Sequence, residues 1–180
     1  MVKAVFLDRD GVINANLERD GKPVAPTTLA EFRILPGAVQ ATRSLKDAGY
    51  LLVVVTNQPD VATGLTSKAT MDAMHAKIRR ELPIDDIMVC LHVDADQCTC
   101  RKPKPGMLLD AASKHSIDFK ASYIVGDRWR DVLAGQAAGC RTIFVDYGYR
   151  QDQPAAPDKV VGSLPEAADF ILEQSREFAP

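Results

Sequence analysis

The sequence is poor in the residues that would point to several large function classes. It has one tryptophan, three histidines and four cysteines, and aromatic residues make up only 6% of its 180 positions. Lysine plus arginine total 22 against 24 aspartate plus glutamate, a formal charge of −2. Such a chain offers neither a basic stripe nor a row of stacking platforms, so nucleic acid is not an expected partner. No stretch approaches the ~20 apolar residues of a membrane span, and the apolar run within MVKAVFLDRDG is too short for a signal-peptide core. The expectation is a cytoplasmic protein that does not engage a membrane, and in that reducing compartment four cysteines argue against disulfides. No internal repeat or low-complexity tract occurs.

What the chain does have is 46% hydrophobic and 26% charged residues, enough apolar mass for one globular domain over 1–180, expected as a monomer. Runs of β-formers recur at 3–7, 50–55, 87–91, 122–125 and 141–145. Helical patterns lie between them at about 37–48, 66–81, 105–116 and 129–139, and a last one opens near 164 on the capping box Ser163-Leu164-Pro165-Glu166. Strands alternating with helices predict an α/β fold, a Rossmann-like parallel sheet with helices on both faces. The polar, turn-rich segment at about 12–36 is expected as a short flap over the first strand, and 149–159 reads as a linker. No insertion is long enough for a large cap domain.

Ligands of open α/β sheets bind beyond the carboxyl ends of the strands. There the sequence places Asp8 and Asp10 in DRDG, Thr56 in TNQ, Arg101 and Lys102 in RKPKPG, and Asp127, Arg128 and Asp131 in GDRWRD. Converging carboxylates repel one another unless a cation neutralises them, and oxygen ligands favour Mg2+. The hydroxyl, lysine and arginines suit phosphate oxygens. Beside a metal and a lysine, one aspartate can attack phosphorus, and a second can pass protons to and from the oxygens involved. An EF-hand reading of DRDG fails, because Val12 and Arg19 stand where acidic or amide ligands are needed.

In order along the chain, FLDRDG, VVVTNQ, RKPKPG and IVGDRWRD resemble the four motifs of the haloacid dehalogenase (HAD) phosphatases. The resemblance implies Asp8 as nucleophile, Asp10 as general acid and base, and Thr56 and Lys102 holding the phosphoryl group. It also implies Mg2+ on Asp8, the Asp10 backbone carbonyl and Asp127. Lys104 competes with Lys102, but the pattern KPxPG favours Lys102. Asn57 and Gln58, which follow Thr56, are expected at the substrate.

Three of the four cysteines and one histidine crowd into Cys90-x-His92-x5-Cys98-x-Cys100. Three thiolates and an imidazole are the ligand set of a closed, structural Zn2+ site, and in extended backbone residues i and i+2 share a face. Asp94 and Asp96 are alternative ligands. Because Cys100 is followed directly by Arg101 and Lys102, a zinc loop at about 90–100 would shape the rim of the active site. This loop resembles the HAD subgroup of heptose bisphosphate and histidinol-phosphate phosphatases, which implies substrate-binding roles for Arg101 and Arg128. TNQPDVATG departs from the subgroup's TNQSGIARG, with Pro59, Asp60 and Thr63 replacing Ser, Gly and Arg. A partly different second anchor for a sugar bisphosphate is therefore expected.

The resulting expectation is a phosphatase for a small phosphorylated metabolite, with a heptose bisphosphate leading and histidinol phosphate or another small metabolite as alternatives. A non-catalytic zinc-stabilised interaction module is the distant alternative, and the presence of Asp8, Asp10, Lys102 and Asp127 speaks against it. His75 and His115 read as surface or helix-end residues, Cys140 as a small core residue, and Trp129 as packing at the start of its helix in preference to lining the pocket.

Overall fold

A computed structural model describes residues 1–19, 21–149, 152–154 and 156–177; positions 150, 151 and 155 of the expected linker lie outside the described residues. The elements in chain order are β1 (Ala4–Leu7), β2 (Leu17–Arg19), β3 (Lys22–Val24), α1 (Ala38–Asp47), β4 (Leu51–Asn57), α2 (Pro59–Ala62) and α3 (Lys68–Glu81). There follow β5 (Asp86–Cys90), α4 (Gly106–His115), β6 (Tyr123–Gly126), α5 (Trp129–Ala138), β7 (Arg141–Val145), β8 (Lys159–Val161) and α6 (Leu164–Glu177).

Six strands form one parallel sheet in the order β5-β4-β1-β6-β7-β8, as the alternation of strand and helix predicts. Strand β1 is buried along its whole length, and its alternate side chains feed the two cores. Val5 and Leu7 join Leu52 and Val54 of β4 on the face covered by α1, α3 and α6. Ala4 and Phe6 join Val53 and Val55 against α4 and α5. Burying such a side chain contributes about 1.5–3 kcal/mol, so a strand apolar on both faces has no stable place except between two helical layers.

The helices obey the same economy. Helix α3 begins at Ser67, whose hydroxyl accepts from Thr70 N, and turns Met71, Met74, His75 and Ile78 inward at helical spacing. Helix α5 ends at Gly139, whose φ of 87° lets its N–H reach back to the last turn. Among the described residues, no helix is long and apolar enough to cross a membrane.

The flap differs from its expectation as a polar cover. It carries a two-stranded antiparallel hairpin, β2-β3, and it also contributes Val12, Ile13 and Phe32 to the core, each at most 1% exposed. Three large apolar residues scattered in a polar segment show no periodicity, and only the β1 crevice gives them a common place to be buried.

Candidate active site

From β1 to β4 the chain crosses one way, and from β1 to β6 the sheet extends the other way, so a crevice opens at the carboxyl ends of these three strands. Directly after β1 the backbone of DRDG closes on itself. Arg9 O accepts from Ile13 N at 2.9 Å and Asn14 N at 3.0 Å, and Gly11, at φ 85°, donates to Asn14 O at 2.7 Å. The turn leaves the Asp8 and Asp10 side chains lining one small cavity of about 140 Å3, together with Lys102, Asp131 and Arg128.

Lys102, 2% exposed, sits at the floor. Its ammonium lies 2.9 Å from Asp8 Oδ1, donates to Val55 O at 2.7 Å and pairs with Asp131. Lys104 instead turns outward and donates to Gln97 O and Cys98 O. Asn57 clamps the Lys102 backbone, donating from Nδ2 to Lys102 O at 3.0 Å and accepting from Lys102 N at 3.1 Å. Its side chain thus serves the lysine while still lining the cavity.

Three carboxylates, Asp8, Asp127 and Asp131, place one oxygen each within 4.8 Å of one another. Burial, ahead of the neighbouring carboxylates Asp131 and Asp10, pushes Asp8 up to about 7 even though Lys102 opposes the shift. Asp127 is raised well above its ordinary value by burial and then by Asp8 and Asp131. Burial works against the charge on Lys102, but Asp131 and Asp8 outweigh it and raise its pKa. A surplus of buried carboxylate over lysine is what a hard divalent cation relieves, so the donor set fits Mg2+. Asp131 enters this cluster without a role assigned from sequence. It reaches in because Gly126 has no Cβ, which would lie 2.1 Å from the Asp131 Cβ, and its Oδ2 accepts from Arg128 N at 3.0 Å. Asp127 accepts from Asn16 Nδ2 at 2.8 Å and lies 3.4 Å from Arg128 Nε.

A Cβ on Gly11 would stand 2.1 Å from Asp127 Oδ2 in a backbone conformation that L side chains rarely adopt. Gly11→Ala is therefore expected to displace Asp127 and lower kcat about tenfold, with a rise in the Mg2+ concentration needed for half-maximal rate. Unchanged kinetics would show that the turn has slack.

Thr56 is 1% exposed at the end of β4, and its hydroxyl accepts from Gln58 Nε2 at 2.8 Å. Gln58 itself is placed differently from its expectation at the substrate. It is 3% exposed, gives Nε2 to Asp10 Oδ2 at 2.7 Å and takes Arg9 Nη2 on Oε1 at 2.9 Å, so its amide is consumed in holding Asp10. His75 also departs from the surface reading: it is 9% exposed and faces Arg9. His115 is a structural partner of Asp86 at 2.7 Å, and Cys140 is buried as expected.

Beside the crevice the thiols of Cys90, Cys98 and Cys100 and Nδ1 of His92 also lie within 4.8 Å of one another. Their separations include 3.7 Å for Cys90–Cys98, 3.5 Å for Cys98–Cys100, 3.5 Å for Cys90–His92, 3.2 Å for His92–Cys100 and 2.9 Å for Cys90–Cys100. Bonds of about 2.3 Å to sulfur and 2.0 Å to nitrogen would give tetrahedral edges of about 3.5–3.8 Å. Cys90, His92 and Cys98 are spaced to that measure, and Cys100, which lies closer to Cys90 and His92, would move outward by less than about 1 Å to complete a set whose three thiolates and one imidazole fit Zn2+. Burial pushes Cys90 up to about 12, whereas hydrogen bonds led by Arg101 N overcome burial and bring Cys98 down to about 7. Asp94 and Asp96 stand apart from the cluster. Asp94 pairs with Arg101 at 2.7 Å and Arg130 at 3.1 Å, and Asp96 accepts from Val93 N.

The small cavity shares Asn57, Arg128 and Arg130 with a wider recess of about 690 Å3 that also carries Lys22, Arg101 and the carboxylate Asp152, with Trp129 and Pro59 on its wall. Lys22 and Arg130 had no distinguishing pattern in the sequence. Arg128 reaches the flap, donating to Pro23 O at 3.0 Å, and Arg130 lies 5.2 Å from the Trp129 ring.

Residues 99–167 match a HAD-hydrolase-like family model. The D-glycero-beta-D-manno-heptose-1,7-bisphosphate 7-phosphatase of Bordetella bronchiseptica is 38% identical, with 97% of this chain and 100% of that protein covered. The Escherichia coli K12 protein of the same name is 34% identical over 95% of this chain and 88% of its own length. Among solved structures, D,D-heptose 1,7-bisphosphate phosphatase from B. bronchiseptica, complexed with magnesium and phosphate, superposes with a TM-score of 0.83 at 34% identity, covering 96% of this chain and 99% of that one. The chain belongs to the D-glycero-beta-D-manno-heptose-1,7-bisphosphate 7-phosphatase family of HAD-like hydrolases.

Proposed function

We propose that the protein removes the 7-phosphate of D-glycero-beta-D-manno-heptose 1,7-bisphosphate. The observation that carries this reading is the pairing of two spaces: a cavity of about 140 Å3 floored by Asp8 and Lys102, and an adjoining recess where four cations outnumber one carboxylate, Asp152. The first has room for one phosphoryl group, and the second offers charge for another. Thr63 stands where related loops carry arginine, and Lys22 and Arg130 supply cationic groups from other elements.

In the mechanism, Asp8 attacks phosphorus and forms an aspartyl-phosphate as the bond to the sugar oxygen breaks. Asp10 gives its proton to the departing alkoxide, then takes one from the water that hydrolyses the intermediate. Lys102 and the Thr56 hydroxyl hold the phosphoryl oxygens, and Lys102 also keeps Asp8 aimed. Arg101 and Arg128, with Asn57 at the junction of the two spaces, orient the rest of the substrate. Mg2+ would be held by Asp8, Asp127 and the Asp10 backbone, supplying charge for the phosphoryl oxygens. Zn2+ would be held by Cys90, His92, Cys98 and Cys100, supplying rigidity to the loop that ends at Lys102.

Phosphate release from the heptose bisphosphate and from histidinol phosphate, compared at equal concentration, tests the substrate. A preference of about a hundredfold in kcat/KM for the heptose, about 2.7 kcal/mol, is expected. Equal rates, or a preference for histidinol phosphate, would overturn the substrate while leaving the phosphatase.

A further inference from the structure

Beneath the crevice, Arg9 joins the Asp10 carboxylate to helix α3. The side chain is 0% exposed, so each of its five N–H groups needs a partner from the protein. Nε lies 3.2 Å from both Asp10 oxygens, and Nη2 reaches Asp10 Oδ1 at 3.0 Å and Gln58 Oε1 at 2.9 Å. On the far edge, Nη1 meets His75 Nε2 at 3.3 Å and Met74 Sδ at 3.9 Å. A thioether is a weak acceptor, so among the described residues His75 is the one strong acceptor on that edge. A guanidinium can only donate, so the contact requires Nε2 to accept and leaves the ring proton to Nδ1. Burial and then Arg9 push the His75 pKa down to about 4, in keeping with a neutral ring.

Asp10 is gripped from the other directions as well. Gln58 Nε2 donates to Oδ2 at 2.7 Å and Asn14 Nδ2 to Oδ1 at 2.9 Å. A carboxylate held by three side chains keeps its orientation only while all three stay in place, and the guanidinium supplies two of the four nitrogens that hold it. The guanidinium in turn is fixed at Gln58 and at His75, with the Phe32 ring 5.6 Å away.

We propose that His75 is a positioning residue for proton transfer at Asp10, acting through Arg9. This rests on the reading of Asp10 as the acid–base group. When the phosphorus–oxygen bond to the sugar breaks, its electron pair stays on the sugar oxygen, which takes the proton from Asp10 and leaves the carboxylate. Loss of the acceptor on α3 lets the guanidinium turn toward a new partner, and Asp10 turns with it.

The test exploits the leaving group. Departure of an alkoxide needs the proton, whereas departure of p-nitrophenolate does not. His75→Ala is expected to lose about tenfold more kcat/KM on the heptose bisphosphate than on p-nitrophenyl phosphate, and His75→Gln, which restores an acceptor, to recover most of that difference. His75→Leu fills the site without an acceptor and serves the same comparison should the alanine variant not fold. Equal losses on the two esters, or no loss on either, would overturn the proposal, because a general disturbance of the core does not sort substrates by leaving group. Asp10→Asn is the reference. If it shows no leaving-group dependence, the role assigned to Asp10 falls; if it does and the His75 variants do not, the positioning role alone falls.

Discussion

Asp8→Asn is expected to lower phosphate release by about 10^4-fold or more while leaving the fold and the Cys/His cluster in place. The amide has the shape of the carboxylate but no anionic oxygen to attack phosphorus, so the covalent step has no substitute. Stability should move the other way. The Asp8 carboxyl is raised to about 7 from an ordinary 3.8, so the folded state holds its proton more tightly than the unfolded chain does. Such a group costs stability as pH rises from about 4 to 7, and an amide avoids that cost. In metal-free protein at pH 7, Asp8→Asn should therefore melt no lower than the unsubstituted chain. Circular dichroism melts, metal content and phosphate release on the same samples decide the matter. Turnover near that of the unsubstituted protein would sink the aspartyl-phosphate mechanism, and a collapsed melting curve would show that Asp8 is structural.

Removing the Zn2+ proposed for the Cys/His cluster, by a chelator followed by Mg2+ replenishment or by Cys98→Ser with Cys100→Ser, is expected to cost about 100-fold in kcat. No catalytic group is removed. What is removed is the anchor of a short path: Cys100 is two residues from Lys102, and the rest of the loop is held by Gly106 N on Thr99 O at 3.2 Å and by Lys104 on two carbonyls. With four ligands freed, the two Asn57 bonds would be the direct hold on the Lys102 backbone among the described residues. A lysine displaced by about an ångström no longer meets Asp8 and the phosphoryl oxygens together, and losses of this size follow from such displacements. Zinc content and kcat should fall in proportion, with KM for the heptose bisphosphate changed less. Full activity at zero zinc would show that the four side chains do not govern Lys102.

Much of the architecture was legible in the sequence because period and composition report it directly. The five β-former runs became β1, β4, β5, β6 and β7, all in one parallel sheet, since a strand apolar on both faces has only one kind of place to go. The edge strand β8, three residues of Lys159–Val161, carries too little pattern to be read, as does the four-residue helix α2. The crevice was legible too, because sheet topology brings the residues after each strand to one end whatever lies between them. Asp8, Asp10, Lys102 and Asp127 were nameable for that reason, and the Cys/His spacing announced its cluster.

The roles of Gln58, His75 and Asp131 were decided elsewhere. Gln58 sits beside the motif threonine in sequence, but the buried Arg9 claims its amide oxygen. His75 lies 66 residues from Arg9, on a helix whose pattern says only that one face is buried. Asp131 reaches the lysine because Gly126, at the end of the strand that leads into its helix, leaves a gap where a side chain would stand. The sequence by itself determined which chemical groups meet at the strand ends, since periodicity and topology are local properties summed along the chain. Only the tertiary structure decided which of those groups face the substrate and which hold the others still. That division depends on how one buried guanidinium and one buried ammonium satisfy their hydrogen bonds, and beyond the adjacent Asp10 their partners, Gln58 and His75 for the one and Val55 and Asp131 for the other, come from segments that no local pattern connects.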